Sequence, residues 1–104
     1  MADAFQPRHA ATVNISVSSS SQSVAIPGVT PAAVRVMNNG TATVWIEFGD
    51  SSVTTTTALG MPIGPGGVEV LTGAALNTAS GNMYVAAIAA GSTGSIYFTP
   101  GIGI

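Results

Sequence analysis

The sequence predicts an all-β, single-domain antiparallel β-sandwich, jelly-roll-like, of about eight short strands; a small β-barrel is the runner-up. Three observations carry this reading. Apolar residues recur at every second position in one segment after another. Clusters of Gly, Pro, Asn and Ser separate these segments at roughly 8–12-residue spacing, as in sandwiches and barrels. No stretch shows the 3.6-residue period of an amphipathic helix.

The elements follow in order. Residues 1–11 contain Pro7 and no periodic pattern, so they read as a flexible N-terminal arm ahead of a sandwich domain over residues 12–104. Val13, Ile15 and Val17 alternate with polar neighbours as a half-buried strand, and Ser18 to Ser21 form a loop. Val24 and Ile26 mark a second strand, ended by Pro27-Gly28. On a third, Val34 and Val36 face one way while Arg35 and Met37 face the other. Asn38-Asn39-Gly40 is a strong turn signal, since both residue types tolerate positive φ. It is expected to close a hairpin onto Thr43–Phe48, where Val44, Ile46 and Phe48 share a face. Val53–Thr57 is rich in β-branched residues and reads as an exposed or edge strand. Gly60–Gly67 is a loop leading into Val68–Leu71. Met83–Ala90 and Ser95–Thr99 complete the pattern as a second hairpin, stopped by Pro100-Gly101.

Composition narrows the function classes. The 104 residues suit one domain, burying roughly two-thirds of its unfolded surface. Only 6% of residues are charged, against about 25% in an ordinary soluble domain. Lysine is absent, and the ionisable set is Asp3, Arg8, His9, Arg35, Glu47, Asp50 and Glu69. A chain this poor in charge hides much of its surface in an assembly, although Ser, Thr and Asn can also solvate it. The absence of cysteine removes disulfides, thiolate metal sites and cysteine nucleophiles. Two arginines and a net charge of −2 do not make a phosphate-binding stripe, so no nucleic acid is expected. The longest apolar run, Tyr84–Ala90, is far short of the ~20 residues a bilayer helix needs, so no membrane is expected either. The opening MADAFQPRHAATV has no basic start and apolar core, so no secretory leader is expected.

No catalytic, cofactor-binding or metal-ligating residues are expected. The Gly60–Gly67 stretch is not a phosphate cradle: the chain has no lysine, the next element is a strand, and Pro62 and Pro65 remove backbone donors. The stretch reads as a proline-braced corner feeding Val68 and Val70 into a sheet. His9 lies in the arm, far in sequence from Glu47, Asp50 and Glu69, and reads as solvated rather than as a base. Glu47 and Asp50 read as a solvent-facing strand residue and a turn former. Nothing in the spacing brings Glu69 to them as a hard-metal site. Trp45 sits opposite the Val44, Ile46, Phe48 face, where partner contact and burial within the domain are equally open. Arg35 and Glu47 could pair across the expected hairpin, for only ~0–1 kcal/mol if exposed.

The segments "AAVRVMNNGTATVWIEFGDSSVT", "MPIGPGGVEVL" and "MYVAAIAAGSTGSIYFTPGIGI" resemble, over residues 33–104, small virion proteins of tailed phages and prophages. The shared motifs are turn and core signatures and bring no catalytic residues. The resemblance implies a non-enzymatic structural protein of a tailed bacteriophage. The implied role is a capsid decoration (cement) protein that binds the outside of the major capsid lattice and stabilises the head. Its implied partner is the major capsid protein and its implied assembly a homotrimer; it would be made in the bacterial host cytoplasm and reside on the virion surface. The candidate contact residues are Phe5, Gln6, Pro7 and Arg8 of the arm, Trp45, and Ile102 and Ile104 of the tail. The alternatives are a receptor- or glycan-binding head-fibre or tail module using Trp45, Tyr84 and Tyr97, or a low-copy neck or head-completion component.

Overall fold

Alternating apolar and polar side chains give strands that must bury one face. The computed structural model describes residues 6–7, 11–26, 33–49, 51–72, 83–91 and 94–102, the side chains of Gln6, Thr72 and Ile102 excepted. Its strands are β1 (Gln6–Pro7), β2 (Val13–Val17), β3 (Gln22–Ile26), β4 (Ala33–Asn38), β5 (Val44–Gly49), β6 (Met61–Ile63), β7 (Val68–Thr72), β8 (Met83–Ile88) and β9 (Gly94–Ile102). No helix occurs among the described residues.

The pairings are nested and antiparallel: β5 with β6, β4 with β7, β3 with β8 and β2 with β9. The chain is therefore one long hairpin whose tip is the β5–β6 connection. Pairing of β5 with β8 and of β4 with β9 winds that hairpin on itself. The result is two sheets, β2–β9–β4–β7 and β3–β8–β5–β6. This is the jelly-roll order, a sandwich and not a small barrel. β1 extends the first sheet along the same edge of β9 that β2 occupies, pairing Gln6 with Ile102 and Pro7 with Gly101. Two residues of the N-terminal arm thus join the sheet, and Ala11 is buried. Phe5, Arg8, His9 and Ile104 lie outside the described residues.

Several sequence expectations change. The two expected hairpins are not hairpins, because β4 and β5 lie in different sheets, as do β8 and β9. The turns after Asn38 and Ala89 are inter-sheet corners. Val53–Thr57 forms no strand, whereas Met61–Ile63, read as loop, does. Strand β9 runs through Pro100-Gly101 instead of stopping there. Phe98 pairs with Val13 and Gly101 with Pro7, so Pro100 falls where β9 changes partner from β2 to β1 and a missing N–H is tolerated. Arg35 and Glu47 belong to different sheets and cannot pair across a hairpin.

The inward side chains meet in one core of Ile15, Val17, Ile26, Val34, Val36, Val44, Ile46, Ile63, Met83, Val85, Ala87, Ala89, Ile96 and Phe98. Phe98 is the largest fully buried side chain, and its truncation to alanine should cost about 3–5 kcal/mol. Of the Val68–Leu71 run, Leu71 packs against this core; Val68 is paired with Met37 and Val70 with Arg35, on the outward side.

At one end of the sandwich the buried Asn38 ties the two sheets together. Its Nδ2 donates to the carbonyls of Ala42 and Ile63, both at 2.9 Å, and its Oδ1 accepts from the Gly40 N–H at 2.9 Å. Its backbone N–H donates to the Gly67 carbonyl at 3.0 Å, and its carbonyl accepts from the Gly66 N–H at 2.9 Å. Those glycines belong to the corner between β6 and β7. Gly67 N–H donates to the Gly64 carbonyl at 2.8 Å, with Pro65 at the second position and Gly66 at φ 74° in the third. This is a type II turn, whose third position has a positive φ that favours glycine. The proline-braced corner expected from the sequence is thus a sheet-to-sheet crossing clamped by Asn38.

Replacing Asn38 by alanine strands the Ile63 carbonyl and the Gly40 N–H. The Asn38→Ala variant should lose roughly 2–4 kcal/mol of unfolding free energy, since each unsatisfied buried group costs about 1–3 kcal/mol. Asn39→Ala, at an exposed side chain, should change it by less than about 0.5 kcal/mol. Urea unfolding of both variants checks this; equal losses would remove the clamp.

Candidate functional site

The two sheets treat their outer faces differently. On β3–β8–β5–β6 the outward row is Ser21, Ile88, Trp45 and Pro62, followed by Ser23, Ala86 and Glu47. Ala86 points away from the core yet is fully buried, and Trp45 is half-buried. Residues 51–60 run over part of this face. Val53 packs against Gly49, the Thr55 N–H donates to Ser21 Oγ at 3.1 Å, and Thr55 itself is 4% exposed. A single turn then closes with Gly60 N–H on the Thr56 carbonyl at 3.0 Å, and Thr56 Oγ1 accepts from the N–H groups of Ala58 and Leu59. Residues 51–60 run over this face as a strap, with Gly60 against the Trp45 Cβ; Trp45 is half-buried and outside the core cluster.

The outer face of β2–β9–β4–β7 is crossed by no described residue. The registers set three rows across it: Thr12, Thr99, Arg35 and Val70; Asn14, Tyr97, Met37 and Val68; Ser16, Ser95 and Asn39. Thr12, Arg35, Met37, Asn39, Tyr97 and Thr99 line an open depression of about 310 Å³. The Thr12 and Thr99 hydroxyls bond each other at 2.9 Å. Arg35 is exposed, with no ion pair or hydrogen bond among the described residues, and no carboxylate lies in these rows.

A second opening lies at the sandwich side between β6 and β7. Because β6 is three residues long, Phe48 has no strand neighbour on that edge. Phe48, Leu59, Met61, Leu71, Ile46 and Glu47 line a depression of about 260 Å³. The large apolar residues exposed among the described ones, Leu59 at 81%, Met61 at 38% and Val68 at 45%, all lie on this side or beside it.

The candidate contact residues are not gathered in one place. Gln6, Pro7 and Ile102 meet where β1 pairs with β9, Trp45 lies on the opposite sheet, and Phe5, Arg8 and Ile104 are outside the described residues. Among the described residues no three of His, Cys, Asp and Glu come together. The Arg35–Met37–Tyr97 cluster was half legible: alternation puts Arg35 and Met37 on one face, but only the register brings Tyr97 beside them. No family model, curated protein or solved structure matches this chain.

The strap makes a prediction with a direct reporter, because Trp45 is the single tryptophan. A Cβ at Gly60 would lie 2.5 Å from Thr55 Oγ1 and 2.8 Å from Trp45 Cβ. Gly60→Ala should lift the strap, red-shift the Trp45 emission and cost about 1–3 kcal/mol, as overpacking does. An unshifted spectrum would show that residues 51–60 do not shield the indole.

Proposed function

We propose that this chain is a non-enzymatic structural protein of a tailed-phage virion. It decorates the outside of the head by binding the major capsid lattice, as a homotrimer. The observation that carries this reading is a jelly-roll domain that is 6% charged and, among its described residues, leaves one sheet face uncrossed and several apolar side chains exposed. Jelly rolls recur in viral capsid proteins, although a fold by itself does not fix a function. Low charge favours burial in an assembly, because interface cores are depleted in Lys, Glu and Asp. The motifs on which the resemblance to phage virion proteins rests also coincide with structural parts: the Asn38 clamp, the type II corner and the closing strand β9.

A receptor- or glycan-binding module remains the second reading, favoured by Tyr97 beside Asn39, Thr12 and Thr99 on the open face. Its other aromatics do not join that site, since Trp45 and Tyr84 belong to the strap-covered sheet.

Copy number separates the readings. Quantitative gel analysis of purified virions should give hundreds of copies for a decoration protein; a dozen or fewer supports a fibre, neck or head-completion part. Deleting residues 1–10 should weaken binding to purified particles while leaving the domain folded. Unchanged occupancy would remove the arm from the interface.

A further inference from the structure

We propose that the outer face of β2–β9–β4–β7 is a protein-docking surface built around Arg35, and that its occupant is a surface carboxylate of the shell subunit. This inference rests on the decoration reading and names the chemistry of the contact. Arg35 is the one basic side chain among the described residues, exposed on a face that holds no carboxylate. The chain's described acids lie elsewhere: Glu47 on the opposite sheet, and Glu69 paired with Val36, the alternate face from Arg35. A planar guanidinium left unpaired on a sheet is suited to bidentate capture of a carboxylate from outside.

The neighbours fit a protein partner. Met37 is adjacent on the face, and the register sets Tyr97 directly across from Met37 and Thr99 directly across from Arg35. Arg, Tyr and Met are the residue types enriched in interface centres, and Arg and Tyr dominate binding hot spots. Donors also outnumber acceptors here. The Arg35 guanidinium, the Tyr97 hydroxyl and the Asn39 side-chain amide have no hydrogen-bond partner among the described residues, whereas one of the Thr12 and Thr99 hydroxyls donates to the other. A donor-rich patch with an apolar centre matches an acceptor-only anion flanked by apolar side chains.

Two measurements test this. Purified heads lacking the protein should bind wild type, and Arg35→Gln and Arg35→Glu should weaken binding by at least about tenfold. Glu47→Arg, on the opposite sheet, should not. Circular dichroism and thermal melting of the variants should match wild type, because Arg35 is exposed. In parallel, a short synthetic peptide with one glutamate between leucines should shift the NMR signals of Arg35 Nε–H and of the Tyr97 and Met37 amides. Its glutamine counterpart should not shift them.

If wild type fails to bind heads, the decoration reading falls, and the peptide pair still judges this site. If heads bind Arg35→Glu as well as wild type, or both peptides act alike, the docking proposal falls. Loss of self-association in Arg35→Glu by sedimentation would make a second copy the occupant, and capture of a glycan through Tyr97 would make it a sugar; either overturns the proposal.

Discussion

The buried amide of Asn38 is the constraint on which the two-sheet arrangement turns. A jelly roll needs its chain to leave one sheet and enter the other repeatedly, and each crossing exposes backbone groups that belong to neither ladder. Asn38 serves two crossings at once. Through Nδ2 it holds the carbonyls of Ala42 and Ile63, and through its own backbone it holds Gly66 and Gly67. Around it the other corners at that end interlock, with Asn39 N–H on the Ser95 carbonyl at 3.0 Å and Ala89 N–H on the Ser18 carbonyl at 2.9 Å. No side-chain polar atom buried among the described residues lacks a partner. A fully satisfied network of this kind specifies geometry as well as adding stability.

The nesting has a consequence for how the fold assembles. Pairing β5 with β6 closes the shortest loop, and every further pair encloses the one before it. Loop-closure entropy therefore rises outward from the tip, and the β1–β9 contact, just beyond β2–β9, comes at the greatest sequence separation. Topologies dominated by such non-local pairing fold slowly. The strap belongs to the tip loop, inside the pair whose closure costs the least entropy.

Local alternation made most strands and their inward residues legible, including Val34 and Val36 against Arg35 and Met37. Partnership between strands was not legible. Asn38-Asn39-Gly40 looks like a hairpin turn because its residues tolerate positive φ, but the outcome is decided by a hydrogen bond to Ile63, 25 positions away. Val53–Thr57 satisfies β propensity and still forms no strand, since it lies over a sheet face and not along an edge with free N–H and C=O groups. Met61–Ile63 is too short, and too marked by Pro62, for a period of two to show. The same limit hid the open face: its two halves come from β4 and β9, and only their register joins them.

The unequal treatment of the two faces bears directly on function. An antiparallel sandwich ordinarily solvates both outer faces with polar residues. Here ten residues run over one face, while among the described residues the other keeps Tyr97, Met37 and Val68 beside Arg35 as its one cation. That face is centred on β4 and β9, the strands of this sheet paired on both sides. Side chains on such strands have their backbones fixed before any partner arrives, so little ordering entropy is lost on docking. A surface with few charges to desolvate, held on strands paired on both sides, is preorganised for docking.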